Sequence, residues 1–193
     1  MSSPVHPRAA QSWRLLVDKA ADEPDPRRRA NLELVARHIG AEVRGDLDDL
    51  MRTLVAEPVY RYLGASPSAG PEGGAAVRAY YEDSVQTGKN RLEFAVARVV
   101  AGDDAVVTEG VFRHAYGGQV LRERGADAST VPDPEGWYLV QYRALVVWPV
   151  TAEGLLSGED VYIGEPPRAV RQLADDEEPQ LGPVTRYRGA PGD

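Results

Sequence analysis

Apolar residues recur at helical spacing through the first part of the chain. Within residues 27–44 they fall every three or four positions, which predicts an amphipathic helix that ends at Gly45. A second helix is predicted to begin directly afterwards, because Asp46 is a suitable N-terminal cap. Residues 8–21 predict a peripheral helix, and residues 75–86 predict a further one.

The pattern changes from helical to alternating after residue 56. A short strand is predicted at residues 59–63. Four longer strands are predicted later in the chain, at residues 92–101, 105–116, 137–149 and 155–163. The turns at residues 102–104 and 151–154 are too short for a crossover helix, so neighbouring strands are expected to be antiparallel.

Two polar segments interrupt or follow this pattern. Residues 119–136 are long for a hairpin connection, and a binding loop or a disordered insertion would each account for them. The end of the chain contains the acidic run 175–178 and too few apolar residues to fold alone. We therefore predict an N-terminal extension with a peripheral helix at 1–26, a folded domain at 27–164 and a flexible acidic tail at 165–193.

Composition argues against several classes of function. The 193 residues carry a net charge of -8, so no basic surface for nucleic acid is expected. The chain has no cysteine and three histidines, and we expect neither a metal site nor a cofactor. It contains neither a signal-peptide pattern nor a long apolar span, so no membrane partner is expected and a cytoplasmic location is predicted.

One acidic residue stands in an apolar strand segment. Asp160 precedes Val161, Tyr162 and Ile163, and strand alternation is expected to turn its side chain into an apolar cavity. A carboxylate is costly to bury unless it is paired, hydrogen-bonded or protonated. Asp160 is therefore either a general acid or base, or a structural carboxylate bonded to a tyrosine or an arginine.

Counting alternate positions from Asp160 gives an inward face that is aromatic and sparsely polar, as small-molecule pockets usually are. The predicted catalytic residues are Asp160, His114, Tyr60 and Tyr142. The predicted substrate-binding residues are Tyr62, Phe112, Trp148 and Tyr162. A shift of one residue in register would reverse every inward assignment.

Most of these candidates also have an ordinary structural explanation. His114 would share a proton with Asp160 or hold a substrate carbonyl, but a histidine at the end of a strand is often exposed to solvent. Tyr60 and Tyr142 would orient water or stabilise an enolate oxygen, but a strand tyrosine commonly bonds a backbone group. His38 lies among apolar residues of a helix face, which favours packing in the core.

Four stretches, residues 45–50, 59–62, 107–112 and 153–162, together resemble a SnoaL-like domain of the nuclear transport factor 2-like superfamily. The resemblance extends over residues 30–164. It implies an α+β fold in which a cone-shaped, curved antiparallel sheet packs against three helices, a cystatin-like α+β barrel with a conical pocket. Such domains include polyketide cyclases, ketosteroid isomerases, limonene epoxide hydrolase-like enzymes, dehydratases and non-catalytic binding proteins, so the fold alone does not define a function.

The resemblance also implies roles for individual residues. Tyr60 is similar to the tyrosine that holds water in the epoxide hydrolases, whereas Tyr62 replaces the aspartate base of the ketosteroid isomerases. Gly110 and Phe112 stand where the epoxide hydrolases carry an arginine and an aspartate. Asp160 matches the carboxylate that activates water in those hydrolases, so a variant mechanism is expected.

Two functions follow as expectations. The first is a cofactor-free cyclase, isomerase, dehydratase or hydrolase that uses acid/base chemistry on a hydrophobic oxygenated metabolite, such as a polyketide or terpenoid intermediate. The alternative is a non-catalytic ligand-binding or dimerisation domain. A large, open cavity lined by Asp160 and His114 within hydrogen-bond reach of one site favours the first. A cavity filled by the aromatic side chains of Tyr60, Tyr62, Trp148 and Phe112 favours the second. The resemblance also implies a homodimer formed through the outer face of the sheet.

Overall fold

The computed structural model describes residues 11–65, 67–174 and 183–184. Its helical segments follow one another in the order of a short 3-10 turn and five α-helices: Gln11–Trp13, α1 (Arg14–Asp22), α2 (Pro26–Arg44), α3 (Leu47–Met51), α4 (Gly74–Thr87) and α5 (Gly118–Glu123). The strands are β1 (Leu54–Gly64), β2 (Ser68–Glu72), β3 (Glu93–Ala101), β4 (Ala105–Gly117), β5 (Trp137–Pro149), β6 (Leu156–Ile163), β7 (Arg168–Gln172) and β8 (Pro183–Val184).

The strands form one curved, open sheet in the order β2-β1-β6-β5-β4-β3. The long strand β5 pairs along its whole length with β4, and its other edge is shared by β6 and β7. The neighbours β1 and β6 run parallel, whereas the pairs β3–β4, β4–β5 and β5–β6 are antiparallel. The predicted α+β class is confirmed, and the parallel β1–β6 pair is the main difference from a purely antiparallel sheet.

Local sequence explains where the long helix α2 begins and ends. The side chain of Asp25 accepts hydrogen bonds from the backbone N–H groups of Arg27 and Arg28, and Pro26 occupies the first turn, where no N–H is needed. Gly45 ends the helix with a left-handed φ of 69°, a conformation that favours glycine. Both predicted ends of this helix are therefore confirmed to within one residue.

The core lies between the inner face of the sheet and the helices. Leu32, Val35 and Ile39 form one buried row along α2, and Val77 and Tyr81 do the same on α4. These side chains join a single apolar cluster with residues of β1, β3, β4, β5 and β6. Burial of these two helix faces sets the distance between helices and sheet, and that distance determines the space available for a cavity.

The connections contain more structure than the sequence pattern predicts. Residues 64–74, between the first predicted strand and the next predicted helix, contain β2, which pairs with β1 at the sheet edge. Within 119–136 the chain forms most of α5 and then packs back on a separate apolar cluster around Val131 and Tyr138, both almost completely buried. A disordered insertion is therefore the wrong interpretation of this segment.

Parts of the two predicted terminal segments also pack on the domain. Leu16 in α1 is fully buried, and the Ser12 hydroxyl accepts a hydrogen bond from the backbone N–H of Phe94 at 2.9 Å. Beyond residue 164, β7 adds to the edge of β5. The predictions for residues 1–10 and for the acidic run 175–178 lie outside the described residues. Within the described part, no helix has the length and apolar character needed to cross a membrane.

Candidate functional site

An internal cavity of about 360 Å³ lies between the concave face of the sheet and helices α2 and α4. Its walls are mainly apolar and aromatic side chains of the sheet, among them Phe94, Phe112, Tyr142, Trp148 and Val161. Two carboxylates, Glu42 of α2 and Glu159 of β6, also line it. The cavity is thus open, apolar and equipped with a few polar groups, the usual composition of a small-molecule site.

The carboxylate of Glu159 is the polar centre of this cavity. Its Oε1 atom accepts a hydrogen bond from the Tyr81 hydroxyl at 3.0 Å and lies 3.2 Å from Nε2 of His38. Glu159 is only 8% exposed, and its second oxygen, Oε2, has no hydrogen-bond partner among the described residues. One oxygen is therefore held by the protein, and the other is left for a ligand.

The hydrogen bonds of Thr53 determine the role of Nδ1 in the fully buried His38 ring. The Thr53 hydroxyl donates its single proton to the backbone carbonyl of Leu50 at 2.6 Å. Nδ1 of His38 lies 2.6 Å from the same hydroxyl oxygen, so Nδ1 must be the donor in that contact. Nε2, the other ring nitrogen, lies 3.2 Å from both the Tyr81 hydroxyl and Oε1 of Glu159.

Two tyrosines extend this network into the core. The Tyr60 and Tyr81 hydroxyls are 3.0 Å apart, and because the Tyr81 proton points to Glu159, Tyr60 is the donor between them. Burial raises the pKa of both phenols well above the usual value, with the charge of Glu159 adding to the effect. Both hydroxyls therefore remain protonated donors over the physiological pH range.

Glu42 carries the second carboxyl group of the cavity. No hydrogen-bond or ion-pair partner for its side chain is present in the described part of the chain. Burial, with the nearby charge of Glu159 acting in the same direction, raises the pKa of Glu42 from 4.5 to about 8. The Glu42 carboxyl is consequently protonated at neutral pH, and the cavity holds a neutral acid beside the Glu159 network.

A row of stacked rings crosses three strands on the cavity wall. Phe94 and Phe112 stack with their centroids 4.0 Å apart and an interplanar angle of 6°. Phe112 stacks in turn on Tyr142 at 5.2 Å, and Tyr142 on His114 at 6.1 Å. The row follows the strand register, in which Phe94 is opposite Phe112 and Phe112 opposite Tyr142. It offers a flat aromatic surface to a planar ligand.

His114, at one end of this row, is predominantly neutral. Its ring is 8% exposed, and its buried Nδ1 atom has no hydrogen-bond partner. Burial lowers the pKa of His114 from 6.5 to about 3, and the positive charges of Lys89 and Arg124 contribute to the decrease. The imidazole therefore has one N–H to donate and one nitrogen to accept throughout the neutral pH range.

Two predicted site residues lie on the outer face of the sheet, away from the cavity. Asp160 points to the outer face of the sheet, where its Oδ1 atom forms an ion pair with Nη1 of Arg61 at 2.9 Å. Tyr162 lies on the same outer face and is 45% exposed. The predicted inward orientation of both residues is wrong, because Glu159, Val161 and Ile163 are the residues of β6 that line the cavity.

The reason for the reversal is a break in alternation near Gly158. Leu156 is fully buried, and counting by two from it would place Asp160 inside. Gly158 has a φ of 139°, and a Cβ atom at this position would lie 1.8 Å from the backbone oxygen of Val59. The irregular backbone at this glycine shifts the inward and outward alternation of β6 by one residue, so that the Glu159 side chain points inward.

Comparison with known proteins agrees with this architecture. Residues 35–136, more than half of the chain, match the family model of the SnoaL-like domain. The chain belongs to the SnoaL-like domain family. A search of curated proteins finds no match to this SnoaL-like protein.

Solved structures support the fold of the SnoaL-like protein. A putative SnoaL-like polyketide cyclase from Jannaschia sp. CCS1 is 21% identical, with 73% of this chain and 90% of that chain covered and a TM-score of 0.52. The epoxide hydrolase/cyclase-like enzyme SalBIII, described in pyran ring formation in the polyether salinomycin, is 18% identical, with coverages of 72% and 95% and a TM-score of 0.51. RV0760c from Mycobacterium tuberculosis, in complex with estradiol-17beta-hemisuccinate, is 13% identical, with coverages of 68% and 92% and a TM-score of 0.50.

The remaining predicted residues of the SnoaL-like protein are placed as expected by alternation. His114, Tyr142, Tyr62, Phe112 and Trp148 line the cavity. Tyr60 is inward but lies behind the cavity wall, where it is 2% exposed and contacts the site through the Tyr81 hydroxyl. These side chains do not fill the cavity, so it is open as expected for an enzyme, but the expected pairing of Asp160 with His114 inside it is absent because Asp160 does not line it.

Sequence reasoning missed several polar residues of the site. Glu42 follows His38 by four positions and Ile39 by three, so the apolar face of α2 already indicated its inward position. Tyr81 lies four residues after the buried Val77 on α4 in the same way. His38 was predicted to be buried, which is confirmed, but its contact with Glu159 crosses 121 residues of sequence and has no local signal.

The structure also explains why one family position is empty. The resemblance matches Gly110 to an arginine of the epoxide hydrolases, and a Cβ atom at Gly110 would lie 2.4 Å from the backbone oxygen of Ala95 and 2.9 Å from the Phe94 ring. The close approach of β3 therefore excludes any side chain at this position. Across the described residues, no three His, Asp or Glu side chains come together as a metal site.

Proposed function

We propose that this SnoaL-like protein is an enzyme that transfers a proton on a hydrophobic, oxygenated small molecule, such as a polyketide or terpenoid intermediate. Cyclisation, isomerisation, dehydration and hydrolysis are the reaction types that such a transfer serves. The observation that carries the proposal is the buried Glu159 carboxylate, with one oxygen bonded inside the protein and the other unpartnered in an apolar cavity.

In this proposal Glu159 takes the role first assigned to Asp160. Its Oε2 atom accepts a proton from the substrate or returns one to it. His38 and Tyr81 hold Oε1 and fix the direction of Oε2, and Tyr60 orients Tyr81. No metal or organic cofactor takes part, because the proton moves between side chains and substrate.

The other polar groups of the cavity act on the substrate oxygen. Glu42, protonated at neutral pH, donates a hydrogen bond or a proton to a carbonyl, epoxide or leaving hydroxyl. Tyr142, His114 and Phe112 form the surface on which the apolar body of the substrate stacks. A neutral acid and a carboxylate in one dry cavity are the two groups that concerted acid/base chemistry needs.

The solved neighbours point to the same kind of substrate. SalBIII is named as an epoxide hydrolase/cyclase-like enzyme of polyether formation, and RV0760c was solved with a steroid ester. Both ligand classes combine a large apolar body with oxygen functions. A cavity of about 360 Å³ with stacked aromatic walls accommodates a molecule of this type.

A turnover assay with a general probe tests the proposal. 5-Nitrobenzisoxazole loses its C3 proton to a base while its N–O bond breaks, giving a nitrile and a coloured phenolate, so it reports any base in an apolar cavity. We expect saturable turnover that is inhibited competitively by 2-naphthol, an apolar molecule with one oxygen. Binding of 2-naphthol without any turnover would support the non-catalytic ligand-binding function instead, and an absence of both would reject the cavity as a ligand site.

The proposal includes a homodimer formed through the outer face of the sheet. The exposed Tyr162 and the Arg61–Asp160 ion pair lie on that face. Gel filtration with light scattering measures the mass directly, and a mass near 21.0 kDa, that of one chain, would exclude the dimer.

A further inference from the structure

One end of the cavity contains a buried polar atom with nothing to bond. Nδ1 of His114 is inaccessible to solvent and has no hydrogen-bond partner, although the ring lines the cavity. An unsatisfied buried donor or acceptor usually costs free energy. Because Nδ1 is closed to a ligand as well as to water, the ring meets a ligand through its other nitrogen, Nε2, which is not among the buried unpaired atoms.

Two positive charges lie at the same end. Lys89 and Arg124 both line the cavity, and both are close enough to His114 to lower its pKa. Lys89 is partly buried, which lowers its own pKa, and its ammonium group forms no salt bridge with a carboxylate of the described residues. Arg124 lies over the Tyr116 ring at 5.6 Å. The partly buried Lys89 and the exposed Arg124 together place positive charge at this end of the cavity, which favours an anionic ligand.

The positive end is separated from the carboxylates along the sheet. His114 is opposite Val140 on β5, whereas Asp160, next to Glu159, is opposite Val147. His114 and Glu159 therefore lie towards different ends of β5. The electrostatic contributions agree, since His114 is affected by Lys89 and Arg124, and Glu42 by Glu159. The cavity thus has a positive end and a carboxyl end, with the aromatic row between them.

We propose that Lys89, Arg124 and the His114 imidazole bind a carboxylate group of the ligand, whose apolar body extends along the aromatic row towards Glu159. This inference rests on the proposed function only in using the same cavity as the ligand site. A monoanion fits better than a dianion, because the charge of Asp83 near Lys89 already offsets part of the positive charge. Asp83 itself does not line the cavity and leaves the inner side of Lys89 to the ligand.

A matched pair of ligands tests this directly. 2-Naphthoic acid and methyl 2-naphthoate share the aromatic body and differ in the negative charge, and calorimetry at pH 7.5 measures the Kd of each. We expect the wild-type protein to bind the acid at least about tenfold more tightly than the ester, since hydrogen bonds to charged groups contribute that much. Lys89→Met should remove most of this preference and leave the ester affinity within about twofold.

Two further variants separate a local site from a general charge effect. Arg91→Met removes a positive charge two residues away on an exposed side chain outside the cavity, and it should leave the preference for the acid unchanged. His114→Phe keeps the stacking surface but removes the hydrogen-bonding nitrogen, and it should reduce the preference.

Each contrary outcome has a defined meaning. Equal binding of acid and ester by the wild-type protein would overturn the carboxylate site while leaving the cavity as a ligand site. Equal losses in Lys89→Met and Arg91→Met would overturn it too, since they would indicate a general field. Binding of neither compound would overturn both this inference and the proposed function.

Discussion

Nε2 of His38 lies 3.2 Å from Oε1 of Glu159, and Nδ1 of the same ring donates to the Thr53 hydroxyl. The contact joins α2 to β6 across the core and brings a fully buried imidazole to the only oxygen of Glu159 that the described residues bond. The orientation of the proposed base therefore depends on a histidine that does not itself line the cavity.

Replacing Thr53 with valine tests this dependence. Thr53→Val keeps the shape of the side chain but leaves Nδ1–H of His38 without its acceptor, which should cost roughly 1–3 kcal/mol in the free energy of unfolding. The ring should lose its fixed tautomer, so kcat for 5-nitrobenzisoxazole should fall more than KM changes. Thr53→Ser, which retains the hydroxyl, is the matched control and should restore both properties.

Glu42 makes the stability of the protein depend on pH in an unusual direction. Its pKa is raised from 4.5 to about 8 in the fold, so the folded state binds an extra proton between these values and stability falls as pH rises from about 4.5 to 8. Glu42→Gln removes this effect. Thermal unfolding should show equal or lower stability than wild type at pH 5 and a higher Tm at pH 8.5, by roughly 2–4 °C for each kcal/mol gained. Parallel Tm curves for the two proteins would contradict the assignment.

His114 should remain neutral where an ordinary histidine is charged. Its pKa is lowered to about 3, so its imidazole ¹⁵N shifts in a long-range NMR spectrum should stay at neutral values from pH 7.5 to pH 4.5. His114→Phe identifies the signal by its disappearance. Stability linked to this residue is present above pH 6.5 and is lost progressively as pH falls towards 3. A midpoint near pH 6.5 in the titration of the ¹⁵N shifts would contradict this prediction, because it would show that the ring is hydrated.

Gly110 should tolerate no side chain. A Cβ atom would meet the Ala95 carbonyl at 2.4 Å, which is backbone and cannot move aside without separating β3 from β4. We expect Gly110→Ala to destabilise the protein by roughly 1–3 kcal/mol, the usual cost of overpacking. Chemical denaturation measures the change. Gly125→Ala is the comparison for steric contact, since a Cβ atom there meets nothing within 4 Å, although its φ of 91° strains an alanine.

The sequence predicts the main elements because their signals are local. The cap at Asp25, the left-handed Gly45 and the apolar rows of α2 and α4 are all determined by residues close in the chain. The site is less predictable because it depends on which alternate residues of β6 face the cavity. The choice between Asp160 and Glu159 is made by one irregular glycine, Gly158, packed against the backbone of β1.

Other features depend on distant partners and are equally hard to predict. The strand β2 lacks a strong strand pattern and exists because the edge of β1 is available for pairing. Glu42 appears as an ordinary polar residue of α2 until Glu159 is placed beside it, and that pairing raises its pKa further. Both cases show the tertiary environment overriding a local pattern.

The relative activities of Glu159→Gln and Asp160→Asn test the central claim most directly. The two residues are neighbours, and the variants make the same chemical change on opposite faces of β6. With 5-nitrobenzisoxazole, we predict that Glu159→Gln lowers kcat/KM by about 10²-fold or more, as expected for loss of a general base. Asp160→Asn removes only a partly exposed ion pair and should stay within about twofold of wild type. A large loss in Asp160→Asn with full activity in Glu159→Gln would contradict the account.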